Sequence, residues 1–198
     1  MNTGKIVLIE GMSTSGKTTV MQIVFRLLQE KDIPCKGFDE LQTMSRDVFS
    51  HLDPKKSIIE MQLFLKREYS GKDTVLICDR FHISHLVITN GTLADFQKIE
   101  DCLKEYNPLV VFLEIPEEKV RERLLGAKAH RGQQWEDELS KRGANEEESI
   151  KWFLNTQHKL HALFLQSNLE KLVFNTGDND FERIGLSIVD AILPKSPV

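Results

Sequence analysis

Five short apolar runs punctuate the chain: Lys5–Ile9, Pro34–Phe38, Thr74–Asp79, Leu109–Ile115 and Lys171–Asn175. Several are apolar almost without interruption, the pattern of strands covered on both faces, so five strands are predicted. Between them lie stretches with helical spacing. Thr18–Lys31 sets Val20, Ile23, Val24, Leu27 and Leu28 on one stripe, and Asp180–Leu193 does so with Phe181, Ile184, Leu186, Ile188 and Ile192. Pro54 and Pro116 mark the starts of two further helices, where a missing amide hydrogen costs nothing. Strands alternating with helices predict a doubly wound, five-stranded parallel α/β sheet.

One region breaks the rhythm. Residues 126–149, GAKAHRGQQWEDELSKRGANEEES, are polar, hold three glycines and lack a sustained apolar stripe. They are expected to be an irregular surface excursion and a candidate lid. With 198 residues, a single domain spanning 1–198 accounts for the chain, and the tail LPKSPV is expected to fray.

Charge narrows the range of partners. A net charge of −4 with 28% charged residues argues against a chain held to nucleic acid by phosphate electrostatics. No apolar run approaches the roughly 20 residues that span a bilayer, so no membrane partner is expected. Cys35, Cys78 and Cys102 show no C-x-x-C spacing, and a reducing cytoplasm suits three such thiols. His158 and His161, three apart, lack a third ligand with metal spacing and are expected to pack or face solvent.

The chemistry concentrates in GMSTSGKT, residues 11–18, which matches G-x-x-x-x-G-K-[ST], the Walker A signature. A strand precedes it and a helix follows, the context in which backbone amides and a helix N-terminus surround phosphate oxygens. Gly11, Met12, Ser13, Thr14, Ser15, Gly16 and Thr19 form the candidate cradle. Lys17 would reach the β- and γ-phosphates, and Thr18 would place its hydroxyl on Mg²⁺. Asp79, ending the run TVLICD, would face the same crevice beyond the carboxyl ends of the strands. It can hold Mg²⁺ through water, accept a proton, or simply cap the next helix. Arg80 can grip a phosphate or the acceptor, or form a surface salt bridge. Arg80 also stands where transporter and helicase ATPases keep a catalytic Glu, and the guanine-specifying N-K-x-D tetrad is absent.

With those motifs placed, the chain resembles the thymidylate kinase and deoxynucleoside kinase branch of the P-loop nucleotide kinases over nearly its whole length. IEGMSTSGKTT is similar to the shared IEG-x-x-G-x-GK[ST]T opening, and ICDRFHISHLVI to the DRY-x-x-S-x element, with Asp79, Arg80, Phe81 and Ser84 in register. FLEIPEEKVRERL resembles the strand-Pro-Glu-helix unit before the lid. The resemblance implies a helical lid, ATP and Mg²⁺ as cofactors, a small-molecule phosphoryl acceptor, and allows a homodimer. It puts Arg123 against the nucleotide base or phosphates. The run MQLFLKREY resembles the helix lining the acceptor pocket, which places Arg67 on the acceptor and Phe64 near the stacking aromatic, with simple core as the alternative for Phe64. Arg131, Lys141 and Arg142 become candidates for closure over the transferring phosphoryl group, Arg142 as a catalytic one.

Two departures leave the acceptor open. Ser13 stands where thymidylate kinases carry an Asp, and GFDELQT replaces both their R-E-P-G-G element and the Glu-Pro pair of deoxynucleoside kinases. Asp39 and Glu40 offer carboxylates there, either to orient an alcohol or to cap the helix beginning near Leu41. His82 and His85 can contact the acceptor or sit on a helix surface. The expected reaction moves the γ-phosphoryl group of ATP to a nucleoside monophosphate or a nucleoside. A kinase of another small alcohol and a nucleotide-binding module without transfer stay open beside it.

Overall fold

The structure, a computed structural model, describes residues 5–43, 53–69 and 74–193. The expectation for the tail beyond Leu193 lies outside them. The strands are β1 (Ile6–Glu10), β2 (Cys35–Phe38), β3 (Val75–Asp79), β4 (Pro108–Glu114) and β5 (Glu170–Asn175). They form one parallel sheet in the order β2-β3-β1-β4-β5. Each predicted strand is present within a residue of its expected bounds. The chain runs outward from β1 to one side and returns to build the other, so the carboxyl end of β1 is the switch point, where open α/β sheets bind ligands.

The helices are α1 (Lys17–Gln29), α2 (Glu40–Thr43), α3 (Pro54–Glu68), α4 (His82–Ile88), α5 (Leu93–Leu103), α6 (Glu117–Gly126), α7 (Lys128–Ser140), α8 (Glu146–Gln166) and α9 (Phe181–Ile192). Alternation along β1 explains the layers. Ile6 and Leu8 point to one face and pack with Ile58, Phe96 and Phe164 from α3, α5 and α8. Val7 and Ile9 point to the other and pack with Val20 and Val24 of α1 and Ile184 and Ile188 of α9. All four β1 side chains are fully buried, so truncating Leu8 to Ala should cost about 2–5 kcal/mol.

Local signals set the helix ends. Asp53 caps α3 by accepting from the amides of Lys55 (2.9 Å) and Lys56 (3.2 Å), with Pro54 as its first residue. Asp32 takes a left-handed conformation (φ 55°) that turns the chain after α1. In α9, Ile184, Ile188 and Ile192 face the core at i, i+4 spacing, while Leu186 faces solvent, 48% exposed. Its place on the predicted stripe was wrong because it lies two residues from Ile184 and Ile188, on the far side of the helix.

The 126–149 segment is not irregular. It forms α7, kinked at Gly132 (φ 58°, ψ −148°), followed by the start of α8, which Asn145 caps by accepting from the Glu148 amide. The apolar stripe is short: beside a partly buried Leu139, docking falls to Trp135. It is 4% exposed, donates its indole N–H to the Leu124 carbonyl (2.8 Å) and packs 5.7 Å from the Phe153 ring. Among the described residues no helix is long and apolar enough to cross a membrane. The three cysteines are free thiols.

Candidate functional site

Gly11 and Gly16 allow the loop after β1 to fold back on itself. Gly11 has φ 144°, and a Cβ there would stand 2.6 Å from the Leu113 carbonyl oxygen. Gly16 has φ 93°, and a Cβ would overlap the Phe181 ring at 2.3 Å. Gly16 also occupies the N-cap of α1 and supplies no side-chain cap, so the first amides of that helix face the loop's interior. Lys17, 6% exposed, curls over the loop and donates to the Met12 carbonyl (2.8 Å). Burial, and then the Arg80 guanidinium, lower its pKa to about 7; Asp79, Glu40 and Glu10 pull the other way.

Asp79 ends β3 in register with Ile9 and accepts from the Thr18 hydroxyl at 2.6 Å through Oδ2. Its Oδ1 is buried and has no hydrogen-bond partner among the described residues, as do the hydroxyls of Thr14 and Ser15. Asp79 does not cap α4. That task falls to Glu10, the last residue of β1, whose fully buried carboxylate accepts from the amides of Phe81 (3.0 Å), Ile83 (3.1 Å) and Ser84 (3.2 Å) and from the Ser84 hydroxyl (2.5 Å). Glu10 thereby ties the entry of the phosphate loop to the segment after Asp79. Within that segment Arg80 has φ 67° and directs its guanidinium to Glu40 Oε1 (3.0 Å) and Ser13 Oγ (3.1 Å).

Part of this group lines one end of a cleft of about 1090 Å³; Glu10, Lys17, Thr18 and Asp79 do not line it themselves. Met12, Ser13, Glu40, Arg80 and Ser84 form its floor, α4 adds Val87 and Ile88, and Asn90 follows just past the end of that helix. From α7 come His130, Arg131, Gln134, Trp135 and Glu138, with Arg142 just beyond; α8 supplies Trp152, Phe153, Thr156, Lys159 and Leu160. Arg142 lies 4.3 Å from the centre of the Trp152 ring and donates to Glu138 through Nε (2.9 Å) and Nη2 (2.5 Å). Arg131 lies 4.8 Å over Trp135.

No family model matches the chain, and no curated protein matches it in sequence. Solved structures do. A YorR protein from Bacillus subtilis, in complex with phosphorylated GDP, superposes over 94% of this chain and 95% of its own, with a TM-score of 0.60 and 18% identity. A thymidylate kinase from Ehrlichia chaffeensis covers 96% and 100%, with a TM-score of 0.59 and 12% identity. The chain has the fold of the P-loop nucleotide kinases.

Within the nucleotide-kinase fold the predicted residues separate into three groups. The first gathers around the phosphate loop: Gly11 to Thr18 form the loop itself, and Thr19 is exposed on the first turn of α1. Arg123 donates to the Thr176 carbonyl and lies 5.7 Å from the Phe181 ring, the ring that packs on Gly16. Burial lowers its pKa. The second group faces the cleft: Glu40, Arg80, Ser84, Arg131 and Arg142. Both departures from the resembling families, Ser13 and Glu40, touch Arg80. Asp39, not Glu40, caps α2 by accepting from the Gln42 amide (3.0 Å), which leaves Glu40 to the cleft.

The third group lies elsewhere. Arg67 pairs with Glu68 (2.7 Å), is 66% exposed and does not line the cleft. Phe64 is core, 3% exposed, edge-on to Phe38 and 5.7 Å from Phe81. Lys141 is exposed outside the cleft. His82 and His85 are fully buried, so neither sits on a helix surface, and neither lines the cleft. His82 stacks on Phe96 and meets Glu100 at 3.1 Å; burial, His82 and Arg80 lower the His85 pKa to about 3. His158 and His161 pair with Glu117 and Glu114.

Two features of the structure were missed in the sequence. Glu10 gave no sign, because its partners lie some seventy positions along the chain. The α8 wall of the cleft was equally silent, although Trp152, Thr156 and Lys159 follow i, i+4, i+7 spacing, which a helical reading of that stretch can find.

Proposed function

We propose that the chain is an ATP-dependent phosphotransferase that moves the γ-phosphoryl group to a nucleoside monophosphate of the thymidylate type or to a nucleoside. The observation that carries this reading is convergence. Lys17 donates to Met12, the Thr18–Asp79 pair joins the phosphate loop to the end of β3, and Met12, Arg80 next to Asp79, and Glu40 all line the same cleft. Hydrolysis alone would not need Arg80 and Glu40 opposite the donor loop.

The residues divide the work. Loop amides and Lys17 bind the donor phosphates, and the triphosphate's negative charge restores the Lys17 proton that burial disfavours. The Thr18 hydroxyl and Asp79 suit Mg²⁺, a hard cation that prefers oxygen donors, and the buried unpartnered Asp79 Oδ1 supplies one. Bound there, the metal would neutralise charge on the β- and γ-phosphates. Arg80 orients the acceptor, with Glu40 and Ser13 fixing its guanidinium. Glu40 can also accept an alcohol proton. Arg142 and Arg131 bring positive charge from the 126–149 lid to the transferring group. Arg123 and Phe181 lie beside Gly16, where the base of the donor is expected. A cytoplasmic location, in keeping with three free thiols, and a homodimer belong to the same reading.

The test is turnover. Purified protein with ATP and Mg²⁺ should convert at least one member of a panel of nucleosides and nucleoside monophosphates to a product heavier by one phosphoryl group, with stoichiometric ADP. Lys17→Ala should abolish it. Product formed only with alcohols outside the nucleoside class would replace the acceptor assignment, and ATP binding without any product would remove the transfer step.

A further inference from the structure

The cations of the cleft differ in how they are engaged. Arg80 faces Glu40, Arg142 faces Glu138, and Arg131 lies on the Trp135 ring. Among the described residues Lys159 has neither a carboxylate nor a ring, yet it lines the cleft. It does not stand alone. Trp152, Thr156 and Lys159 occupy one face of α8 and span about 10 Å along the helix.

The orientation of that face is fixed. Gln157 clasps the chain just past β4, accepting from the Ile115 amide (3.0 Å) and donating to the Ile115 carbonyl (2.8 Å). Leu113, two residues earlier, lies against Gly11. Lys159, two residues past Gln157, lines the cleft together with Met12 and Ser13 of the phosphate loop, and Trp152 lies nearly two turns toward the lid. Thr156 donates to the Trp152 carbonyl (2.9 Å), which turns its oxygen's lone pairs outward as acceptors. At the outer end Arg142 across Trp152 makes a flat cationic surface, the kind on which nucleobases stack.

We propose that this face of α8 determines acceptor specificity: Lys159 binds an acceptor's phosphate near the transfer point, and the Trp152 ring holds its base toward the lid. The acceptor selected is a nucleoside monophosphate in preference to the neutral nucleoside. The inference rests on the phosphotransfer reading for the word acceptor, but its binding claim can be measured without turnover.

The experiment is calorimetric titration of the full chain, saturated with ADP and Mg²⁺ so that the phosphate loop is filled, with deoxynucleoside monophosphates and the matching nucleosides. Wild type should bind its preferred monophosphate about 10- to 100-fold tighter than the nucleoside, the worth of one charge-assisted contact. Lys159→Ala should bring that ratio close to one without weakening nucleoside binding, and Lys159→Arg should retain most of it. Trp152→Ala should weaken both ligands together. Lys159 is exposed, so its variants should fold, which circular dichroism checks. A ratio unmoved by Lys159→Ala, or no binding of any panel member, overturns the proposal. Absence of turnover alongside the expected ratios would overturn only the phosphotransfer reading, and turnover with a Lys159-insensitive ratio only this one.

Discussion

The carboxyl ends of β1 and β3 lie side by side next to the phosphate loop, and their carboxylates are used in opposite ways. Glu10 accepts four hydrogen bonds from the start of α4 and the residue before it and has nothing left to offer a ligand. Asp79 accepts one, from Thr18, and keeps Oδ1 buried and unpartnered. Both are nearly inaccessible, at 0% and 7% exposure. Burial therefore does not distinguish a structural acid from a chemical one. The count of donors around it does, since a buried carboxylate with an unpartnered oxygen is costly unless something else is meant to meet it.

The contrast predicts opposite outcomes for similar substitutions. Asp79→Asn keeps the shape and an acceptor for Thr18 but removes the charge, so activity should fall about 10²- to 10³-fold while Tm moves by no more than about 2 °C. Steady-state kinetics with a parallel thermal melt checks it, and a large loss of Tm would place Asp79 with Glu10. Glu10→Ala should do the reverse first. It leaves three amides and a hydroxyl without acceptors, a loss of about 3 kcal/mol or about 10 °C in Tm. If the melt is unchanged, the four bonds to Glu10 do not hold the Arg80 segment.

Both carboxylates act on Lys17, whose proton is a further probe. The unfolded chain keeps that proton up to the ordinary 10.5, while the folded chain releases it at about 7. Between those values the unfolded state binds more protons, so without nucleotide the Lys17 contribution makes stability rise with pH across that window. Nucleotide should reverse the shift. ATP binding at about pH 8.5 should take up roughly one proton, visible as a dependence of binding enthalpy on the buffer's ionisation enthalpy, and less below pH 7. Equal enthalpies in all buffers would mean that Lys17 is already charged. The smallest effect is expected at Arg67, where Ala should change turnover and acceptor KM less than about threefold, because an exposed pair with Glu68 contributes little. A larger loss would bring α3 into the acceptor site.

Legibility in the sequence followed the range of the interactions. The strands could be read because each is a local apolar run, and the phosphate loop because its eight residues fold against one another and against adjacent elements. Asp79 was placed by its position at a strand end. Glu10 was invisible, because its role is written in the amides of Phe81, Ile83 and Ser84 rather than beside it. His82 and His85 misled for a related reason: two polar side chains after the CDR element suggested acceptor contact or a helix surface, whereas α3 and α5 supply Ser57 and Glu100 as buried partners. The α7 segment looked irregular because one tryptophan beside a partly buried Leu139, not a stripe, anchors it.

Arg80 marks where folding and chemistry part company. Its backbone sits at φ 67°, a conformation that disfavours every side chain with a Cβ by about 1–2 kcal/mol and that glycine adopts freely. A sequence chosen for thermal endurance alone would therefore put glycine at this position. A stability-directed library would be drawn to that replacement and would discard the one guanidinium that faces both Ser13 and Glu40, so position 80 is one to hold fixed when the protein is engineered for robustness.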